Sequence, residues 1–436
     1  MRKRIQSLLS GGFELDLFLG LFLKGGGAAA SLAVNLIVSR TLGPDGVGIY
    51  QIALSTAVLL AILSTFGLDT IVLRSVAVAY RGGDLGSANV AIKRALRFNL
   101  LIGIPVALLM ASAAWPLSYL VMGRPALLPS LVAMAVAVPC LGLIRTMAGS
   151  LRGTGSTLLA QSFDGVSYTG LTAAVLALML LVSGTFSINA PSLIYAGGTL
   201  LVAVLGWLRL RAIRRDWPAS GTQTLSLKAG ARIATIYLSS VFCDWLAVVT
   251  LGAWHGTGEA GIYRVAVQFG MLFILVRNSF DQMIGPHLAT AYGEGRFRQM
   301  LSITRKTGFI GGGVCLPLLL LILAAPSWLM ALFGPDFVRG APALVILAIG
   351  QFVSVAVGPI GTVLEMAHRE KVTMHVELGV SALTLVLFVV LIPLYGLTGA
   401  ASAVTLAIIA RAAALTVCVR RFLAFARNEE AVAAAQ

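Results

Sequence analysis

The sequence predicts an all-α polytopic membrane protein with about twelve transmembrane helices, grouped in two pseudo-symmetric six-helix lobes around a central cavity. Three observations favour this fold class. Hydrophobic residues make up 58% of the 436 residues and charged residues only 11%, far from the composition of soluble domains. Apolar stretches long enough to cross a bilayer recur along the whole chain, and short motifs of its first half return in its second half.

Each apolar stretch is about 18 to 25 residues long, which is enough to cross a hydrocarbon core about 30 Å thick. The number of stretches is even, so both ends of the chain are expected on the same side of the membrane. In chain order, the predicted spans are Leu17–Ser39, Ile49–Val72, Leu96–Trp115, Leu127–Ala148, Leu158–Val182, Pro191–Leu208, Arg232–Trp254, Gly261–Gly285, Thr307–Trp328, Ala341–Leu364, Val372–Ile392 and Leu397–Val419.

Several short motifs recur at one separation of about 212 residues, the signature of an internal repeat. Each match alone is weak in a chain this rich in Ala, Gly and Leu, but random matches would not share one separation. Two copies of one hydropathy unit are typical of transporters built from pseudo-symmetric bundles. The matching residues are Gly46 and Gly48-Ile49-Tyr50 with Gly258 and Gly261-Ile262-Tyr263, and Asp69 and Ala79-Tyr80 with Asp281 and Ala291-Tyr292.

The chain carries 32 Lys and Arg against 17 Asp and Glu, a net charge of +15. The basic residues lie in the short links between spans, so their charge indicates topology, and no nucleic-acid partner is expected. If the N-terminus is cytoplasmic, the links on the far side carry only Arg40, Arg124, Arg264 and Arg339. The positive-inside rule therefore predicts a multi-pass protein of the bacterial inner (cytoplasmic) membrane with both termini in the cytoplasm.

The longest and most charged link runs from Arg209 to Lys228 and contains Pro, Gly and Ser. It lies where the repeat requires a boundary, with six spans before it and six after it. We therefore predict an N-lobe over residues 1–208, a cytoplasmic connector over 209–231, and a C-lobe over 232–436 that ends in a short cytoplasmic tail. Two such parallel repeats leave a cleft that can open to either face, which favours transport.

Signals for other classes of protein are few. The cysteines lie singly inside apolar spans without paired spacing, so we interpret them as small core residues. The sequence contains no P-loop, Gly-rich nucleotide motif or metal-ligand cluster, so we expect no catalytic residues, no metal, no cofactor and no direct use of ATP. The four cysteines are Cys140, Cys243, Cys315 and Cys418.

The first predicted span carries a polar stripe formed by Lys24, Ser31 and Asn35. At about 100° per residue these positions fall in one narrow sector of a helix. A Lys inside a span is costly unless it faces the bundle interior or a wet cavity. We interpret the stripe as lining the cavity. The alternative is that Lys24 extends to the headgroups, which does not account for the deeper Asn35.

Arg277 and Asp281 lie one turn apart in the eighth predicted span and can meet as an i,i+4 pair. Asp281 is the repeat partner of Asp69, so each lobe would place a carboxylate at the cytoplasmic end of an equivalent helix. Arg277 is a candidate cation of the cavity. The two carboxylates either have a functional role or pair locally, Asp69 with Arg74 and Asp281 with Arg277.

Two further carboxylates lie on polar faces of predicted spans. An isolated buried carboxylate either raises its pKa or finds a cation, so each is half of an interhelical ion pair or part of a proton or sodium site. Both interpretations stay open, with Arg145 and Arg411 as candidate partners. The polar faces are Asp164, Ser167 and Tyr168 in the fifth span, and Tyr237, Ser240 and Asp244 in the seventh.

The link after the first span carries a more specific pattern, Ser39-Arg40-Thr41-Leu42-Gly43-Pro44-Asp45-Gly46-Val47-Gly48-Ile49-Tyr50. It resembles the start of the polysaccharide (O-antigen and exopolysaccharide) flippases of the multidrug/oligosaccharidyl-lipid/polysaccharide superfamily. There, Arg and Gly-Pro are followed by an acidic or polar residue and Gly-x-Tyr. Further similarity lies in Gly67-Leu68-Asp69, Arg74, Arg81-Gly82-Gly83-Asp84 and Leu151-Arg152-Gly153-Thr154-Gly155.

The resemblance implies a transporter, not an enzyme, that flips a polyprenyl-pyrophosphate-linked oligosaccharide from the cytoplasmic to the periplasmic leaflet by alternating access. A pyrophosphate is a compact multiple anion, so interior cations would receive it. Implied partners are the lipid-linked oligosaccharide and membrane lipids, together with a polysaccharide polymerase and glycosyltransferases, and proton or sodium coupling is left open. The predicted substrate-binding residues are Lys24, Ser31, Asn35, Arg277 and Arg411, and the predicted coupling or ion-pair residues are Asp69, Asp164, Asp244 and Asp281.

Two alternatives belong to other functions. A cation-coupled multidrug extruder of the same fold would need acidic residues around the cavity, and no mid-membrane carboxylate precedes Asp164. A membrane-embedded glycosyltransferase or polymerase would need catalytic residues on sizeable periplasmic loops, and the predicted outward links are too short for them. Neighbouring glycosyltransferase genes would favour the flippase.

Overall fold

The computed structural model describes residues 12–221, 225–367 and 369–435, and this part of the chain is helical with no strand. The helices of the first half, with a π-helical turn after α3 and another between α5 and α6, are α1 Gly12–Thr65, α2 Leu68–Arg81, α3 Leu85–Pro116, α4 Leu127–Gly153, α5 Thr157–Gln161, α6 Ser167–Ser183 and α7 Ala190–Ile213. The helices of the second half are α8 Leu227–His255, α9 Thr257–Gly293, α10 Phe297–Ala324, α11 Pro326–Ala331, α12 Ala341–Ala356, α13 Ile360–Met366 and α14 Glu370–Ala435.

Ten helices in the described part of the chain are long and apolar enough to cross a membrane. Two of them are long enough to cross twice, because 41 and 51 residues rise about 60 and 75 Å. Each contains a non-helical glycine, Gly43 in α1 (φ 66°) and Gly396 in α14 (φ 53°), at which the chain turns back. The described helices therefore make twelve crossings, and the predicted all-α polytopic fold is confirmed.

Three of the predicted spans are interrupted by glycines with positive φ. The second span was expected to reach Val72, but it ends at Thr65 because Phe66 (φ 50°) and Gly67 (φ 69°) adopt left-handed conformations. A Cβ on Gly67 would lie 2.5 Å from the carbonyl oxygen of Gly230, so the break is also a close backbone contact. The other two breaks are at Gly165 (φ 104°) in the fifth span and Gly358 (φ 85°) in the tenth.

The internal repeat is visible in the backbone. The helix that follows Arg81 is reached through a turn in which Gly83 N donates to Tyr80 O and Asp84 N to Ala79 O. The helix that follows Gly293 is reached through the same turn, 212 residues later, with Gly295 N donating to Tyr292 O and Arg296 N to Ala291 O. Positive-φ glycines recur at equivalent places as Gly43 and Gly256, Gly83 and Gly295, and Gly184 and Gly396.

Tyr50 and Tyr263 occupy equivalent positions within this repeat. Each lies seven residues after its positive-φ glycine, Gly43 or Gly256, and each side chain is buried. The common separation that the sequence showed therefore reflects repeated local structure, and the prediction of two pseudo-symmetric halves is supported by these shared turns.

By internal packing the chain divides into a first unit, Met1–Trp245, and a second unit, Leu246–Gln436. This boundary lies inside α8, later than the predicted division at residues 209–231. The part of α8 up to Trp245 packs in the first unit, where Trp245 Nε1 donates to Thr56 Oγ1 at 2.9 Å. The link after α7 also packs in the first unit, where Asn89 Nδ2 donates to the carbonyl of Pro218 at 2.9 Å. The predicted lobe boundaries stay a prediction.

Candidate functional site

The second unit contains an ion pair that the sequence spacing predicted. Arg277 and Asp281 lie on consecutive turns of α9, with Arg277 Nε 3.7 Å from Asp281 Oδ2. The same guanidinium donates from Nη1 to Ser354 Oγ on α12 at 2.9 Å. Both charged side chains are about three-quarters buried. Arg277 is therefore held inward by two helices within the unit.

Arg411 forms a second ion pair, with a residue that the sequence analysis did not single out. Its Nη2 lies 2.5 Å from Oε1 of Glu377, and the Glu377 side chain is only 15% exposed. Both residues belong to α14, and they meet because the turn at Gly396 folds the two halves of this helix back on each other. Glu377 lies within the predicted span Val372–Ile392. A carboxylate inside an apolar run is the sequence feature that could have identified it as a candidate site residue.

The two ion pairs belong to one group, which we call the charged cluster and define as Arg277, Asp281, Glu365, Glu377 and Arg411. Arg277 interacts electrostatically with all four of the others. Asp281 and Glu377 are paired with the two guanidinium groups, and the exposed Glu365 adds a third carboxylate that interacts electrostatically with Arg277, so the cluster is balanced to within one charge. Charges inside spans are costly and usually functional, so the cluster is the main candidate site in the second unit.

The environment of Arg277 and Arg411 differs from the one that the sequence predicted. Both were expected to be cations available for binding an anionic cargo, but in the structure both are paired with carboxylates. The carboxylates compete with an anion for these guanidinium groups, and the competition weakens when a proton or cation neutralises one of the carboxylates.

In the first unit, the predicted polar stripe of α1 is partly engaged in packing. Asn35 is 3% exposed, and its Oδ1 accepts a hydrogen bond from Gln51 Nε2 at 2.7 Å across the turn at Gly43. Ser31 is half-buried on the same helix. The backbone of Lys24 lies in α1, but its side chain lies outside the described residues. The role of this stripe in substrate binding stays a prediction.

Asp164 lies at the helix break next to Gly165, and its partner is Arg152. Arg152 Nη2 is 2.5 Å from Asp164 Oδ2, with about a third of each side chain exposed. The candidate partners Arg145 and Arg411 were therefore wrong for this carboxylate. Asp164 can pair with Arg152 because its backbone is not helical (φ −89°, ψ 83°) and changes the direction of the side chain. Hydropathy alone does not reveal such a change of backbone conformation.

A tyrosine cluster lies beside this break. The rings of Tyr168 and Tyr195 stand edge to face at 5.5 Å, and Tyr50 packs against Tyr195 in the same way at 6.3 Å. Arg145 interacts electrostatically with both Tyr168 and Tyr195. The first unit therefore presents hydroxyl and guanidinium groups that suit a polar ligand.

The remaining predicted carboxylates lie elsewhere. Asp69 is in the first turn of α2, and within the described part of the chain it has no ion-pair partner within 4.0 Å. Asp244 is half-buried on α8 and has a polar partner. Tyr237 of the same predicted polar face is 55% exposed. The coupling roles of Asp69 and Asp244 stay predictions.

Comparisons with known proteins agree with this fold. The chain is 22% identical over 267 residues to the probable flippase AglR of Haloferax volcanii, an alignment that covers 60% of this chain and about half (55%) of that relative. A multidrug resistance MATE family transporter of the MOP superfamily superposes with a TM-score of 0.76, covering 92% of this chain and 96% of its own at 13% identity.

A MOP superfamily transporter from Pyrococcus furiosus, for which a reverse polarity of the binding pocket suggests a different function, superposes with a TM-score of 0.68. The alignment covers 95% of both chains at 14% identity. These likenesses show the fold alone. The family model described as polysaccharide biosynthesis protein matches residues 19–287, which is more than half of the chain. The chain is therefore a multi-pass membrane protein that belongs to the polysaccharide biosynthesis protein family.

Proposed function

We propose that the protein is a flippase that moves a polyprenyl-pyrophosphate-linked oligosaccharide from the cytoplasmic to the periplasmic leaflet of the bacterial inner membrane for cell-surface polysaccharide synthesis. The observation that carries the proposal is the charged cluster, which places two arginines inside the helices of a transporter fold. The family supports a cargo of polysaccharide synthesis.

The cluster also supports a way to couple transport to an ion. Arginine binds phosphate with two parallel hydrogen bonds, but Arg277 and Arg411 are paired with carboxylates at 3.7 and 2.5 Å. Entry of a proton or sodium ion would neutralise a carboxylate and free a guanidinium for the pyrophosphate. A cargo that binds one state of the cluster better than the other would shift the transporter between its two open states, as alternating access requires.

Replacement of Arg277 by alanine should abolish surface polysaccharide without lowering the amount of protein in the membrane. Lys24→Ala is expected to do the same, while Lys24→Arg should keep part of the activity because it retains the positive charge. Surface polysaccharide is measured by immunoblotting of intact cells, and membrane abundance by quantifying a C-terminal tag.

The matched control for these variants is Arg339→Ala, which removes an exposed arginine from its ion pair with Glu259 in the same unit as Arg277. It should leave the surface polysaccharide unchanged. Normal export by the Arg277 and Lys24 alanine variants would exclude these residues as the cargo site.

The proposed direction of transport requires both termini in the cytoplasm. Single cysteines placed at Lys93 and Arg305 should be protected from an impermeant thiol reagent in intact cells, whereas cysteines at Asp45 and Asp336 should be labelled. The background for the experiment is a chain whose four cysteines are replaced by alanine. Labelling at Lys93 in intact cells would contradict the topology.

A second function, cation-coupled multidrug extrusion, is favoured by the fold of the multidrug resistance transporter and by the three carboxylates of the charged cluster. An extruder would lower the accumulation of a lipophilic cation such as ethidium in cells that overproduce it. We expect no such effect. Ethidium extrusion that Glu377→Gln abolishes, with surface polysaccharide unaffected, would replace the flippase proposal.

A further inference from the structure

An apolar groove of about 470 Å³ runs between α3, α4 and α7 in the first unit. Its walls include Leu100, Leu143, Met147, Leu200 and Val204. Leu100, Leu200 and Val204 are each about 40–50% exposed, so the groove is accessible from outside the bundle. In a membrane protein such a surface meets lipid chains.

One end of the groove carries a basic rim, which we define as Lys93, Arg97, Arg211 and Arg214. The rim residues come from the first part of α3, the last turn of α7 and the residue directly after α7, and these antiparallel helices bring the four charges to one end of the bundle. This is the end that the charge asymmetry of the sequence assigns to the cytoplasm. A second cavity of about 780 Å³ continues from Lys93, Arg211 and Arg214 towards Asn89 and the chain after α7.

The charge of the basic rim is not balanced by carboxylates. Among the described residues, no ion pair within 4.0 Å involves any of its four members. Two of the cations are held in place: Arg214 donates to Asn89 Oδ1 at 3.1 Å, and Arg211 lies 5.4 Å above the ring of Trp207. The rim is therefore a partly fixed set of donors with no anion of its own.

The dimensions of the groove match one leaflet. From Leu200 to Ile213, α7 rises about 20 Å at 1.5 Å per residue. Half of a hydrocarbon core is about 15 Å, and the rest reaches the headgroup region. Trp207 lies between the apolar and basic parts, at the level where tryptophan is enriched in membrane proteins.

We infer that this groove binds an anionic phospholipid, with one acyl chain along the apolar walls and the phosphate on the basic rim. Unpaired Lys and Arg between transmembrane helices on the cytoplasmic side attract such headgroups. A phospholipid fits better than a polyprenyl lipid because its chains end within one leaflet, as the groove does. The site is separate from the charged cluster and its occupancy does not depend on flipping.

The test uses quenching of Trp207 fluorescence in the purified full-length protein. The protein is placed in nanodiscs that contain either brominated phosphatidylglycerol or brominated phosphatidylcholine. The fluorescence of the Trp207→Phe variant is subtracted, which removes the contribution of the other five tryptophans. We expect half-maximal quenching at a several-fold lower mole fraction of phosphatidylglycerol than of phosphatidylcholine. Lys93→Gln and Arg97→Gln should each remove most of this preference, because each basic residue near the membrane surface contributes about 1 kcal/mol to the attraction of an anionic lipid.

The matched control removes two exposed charges from the other unit, Arg305→Gln with Lys306→Gln, and should keep the preference. Equal quenching by both lipids, or an equal loss of preference in the control, would overturn the proposal. Displacement of the brominated lipid by a polyprenyl phosphate at a lower concentration than by phosphatidylglycerol would also overturn it, by assigning the groove to the cargo. Because fluorescence reads binding alone, failure of the flippase proposal would leave this result intact.

Discussion

Replacement of Arg411 by methionine is expected to destabilise the protein by roughly 2–3 kcal/mol, because the buried carboxylate of Glu377 loses its nearest cation. Breaking a fully buried ion pair from one side costs about 3–5 kcal/mol, and we place the loss lower because the Arg411 side chain is 36% exposed. The measurement is the free energy of unfolding from the thermal midpoint of the purified protein. Arg411→Met should also abolish surface polysaccharide.

Two controls separate the ion pair from other effects. Arg296→Met breaks the exposed pair with Glu294, and this should cost less than about 1 kcal/mol. The double variant Arg411→Met/Glu377→Leu removes both charges and should recover most of the lost stability without recovering transport. A double variant as unstable as Arg411→Met alone would show that the loss comes from packing and not from an unpaired carboxylate.

Replacement of Gly149 by alanine is expected to prevent most of the protein from folding. A Cβ on Gly149 would lie 2.3 Å from the carbonyl oxygen of Asp69, so α4 and α2 would have to separate. Because the obstacle is backbone and not a flexible side chain, relief costs at least the 1–3 kcal/mol typical of overpacking. Fluorescence-detected size exclusion of the tagged protein would show aggregation or loss of the monodisperse peak.

The control is Gly170→Ala on α6, where the Cβ would have no neighbour within 4 Å. This change should leave folding intact or stabilise the helix by about 0.5–1 kcal/mol, since alanine has the better helix propensity. A monodisperse, fully folded Gly149→Ala protein would mean that α2 and α4 are not as closely packed as the structure shows.

The transmembrane spans could be predicted from hydropathy, but the breaks inside some of them could not, because a break depends on the backbone conformation of a single residue. Twelve crossings follow from the lengths of apolar runs, and most of the long helices were placed correctly. The breaks at Gly67, Gly165 and Gly358 were not predicted, because each lies in an otherwise apolar run and depends on a positive φ. A glycine in such a run has the same composition whether the helix continues or ends.

The same distinction applies to the candidate site. Arg277 and Asp281 could be paired from sequence because helix geometry fixes neighbours four residues apart. Arg411 pairs with Glu377 because α14 turns back on itself, and Asp164 pairs with Arg152 because of an irregular turn. Neither pair follows from the spacing of its residues in the sequence.

The repeated turns allow the two units to be compared position by position, and the comparison is unequal. At the separation of about 212 residues that the shared turns define, Arg277 corresponds to Thr65 and Arg411 to Thr199, and Glu377 falls at Gly165, where the fifth span breaks. The duplication is thus preserved in the backbone, but within the charged cluster only Asp281 has a charged counterpart, Asp69, among these positions. A hybrid with two copies of the first unit would keep the repeated helices and turns but lose the two ion pairs of the charged cluster. The two halves of the molecule therefore share their architecture and differ in the chemistry of their buried side chains.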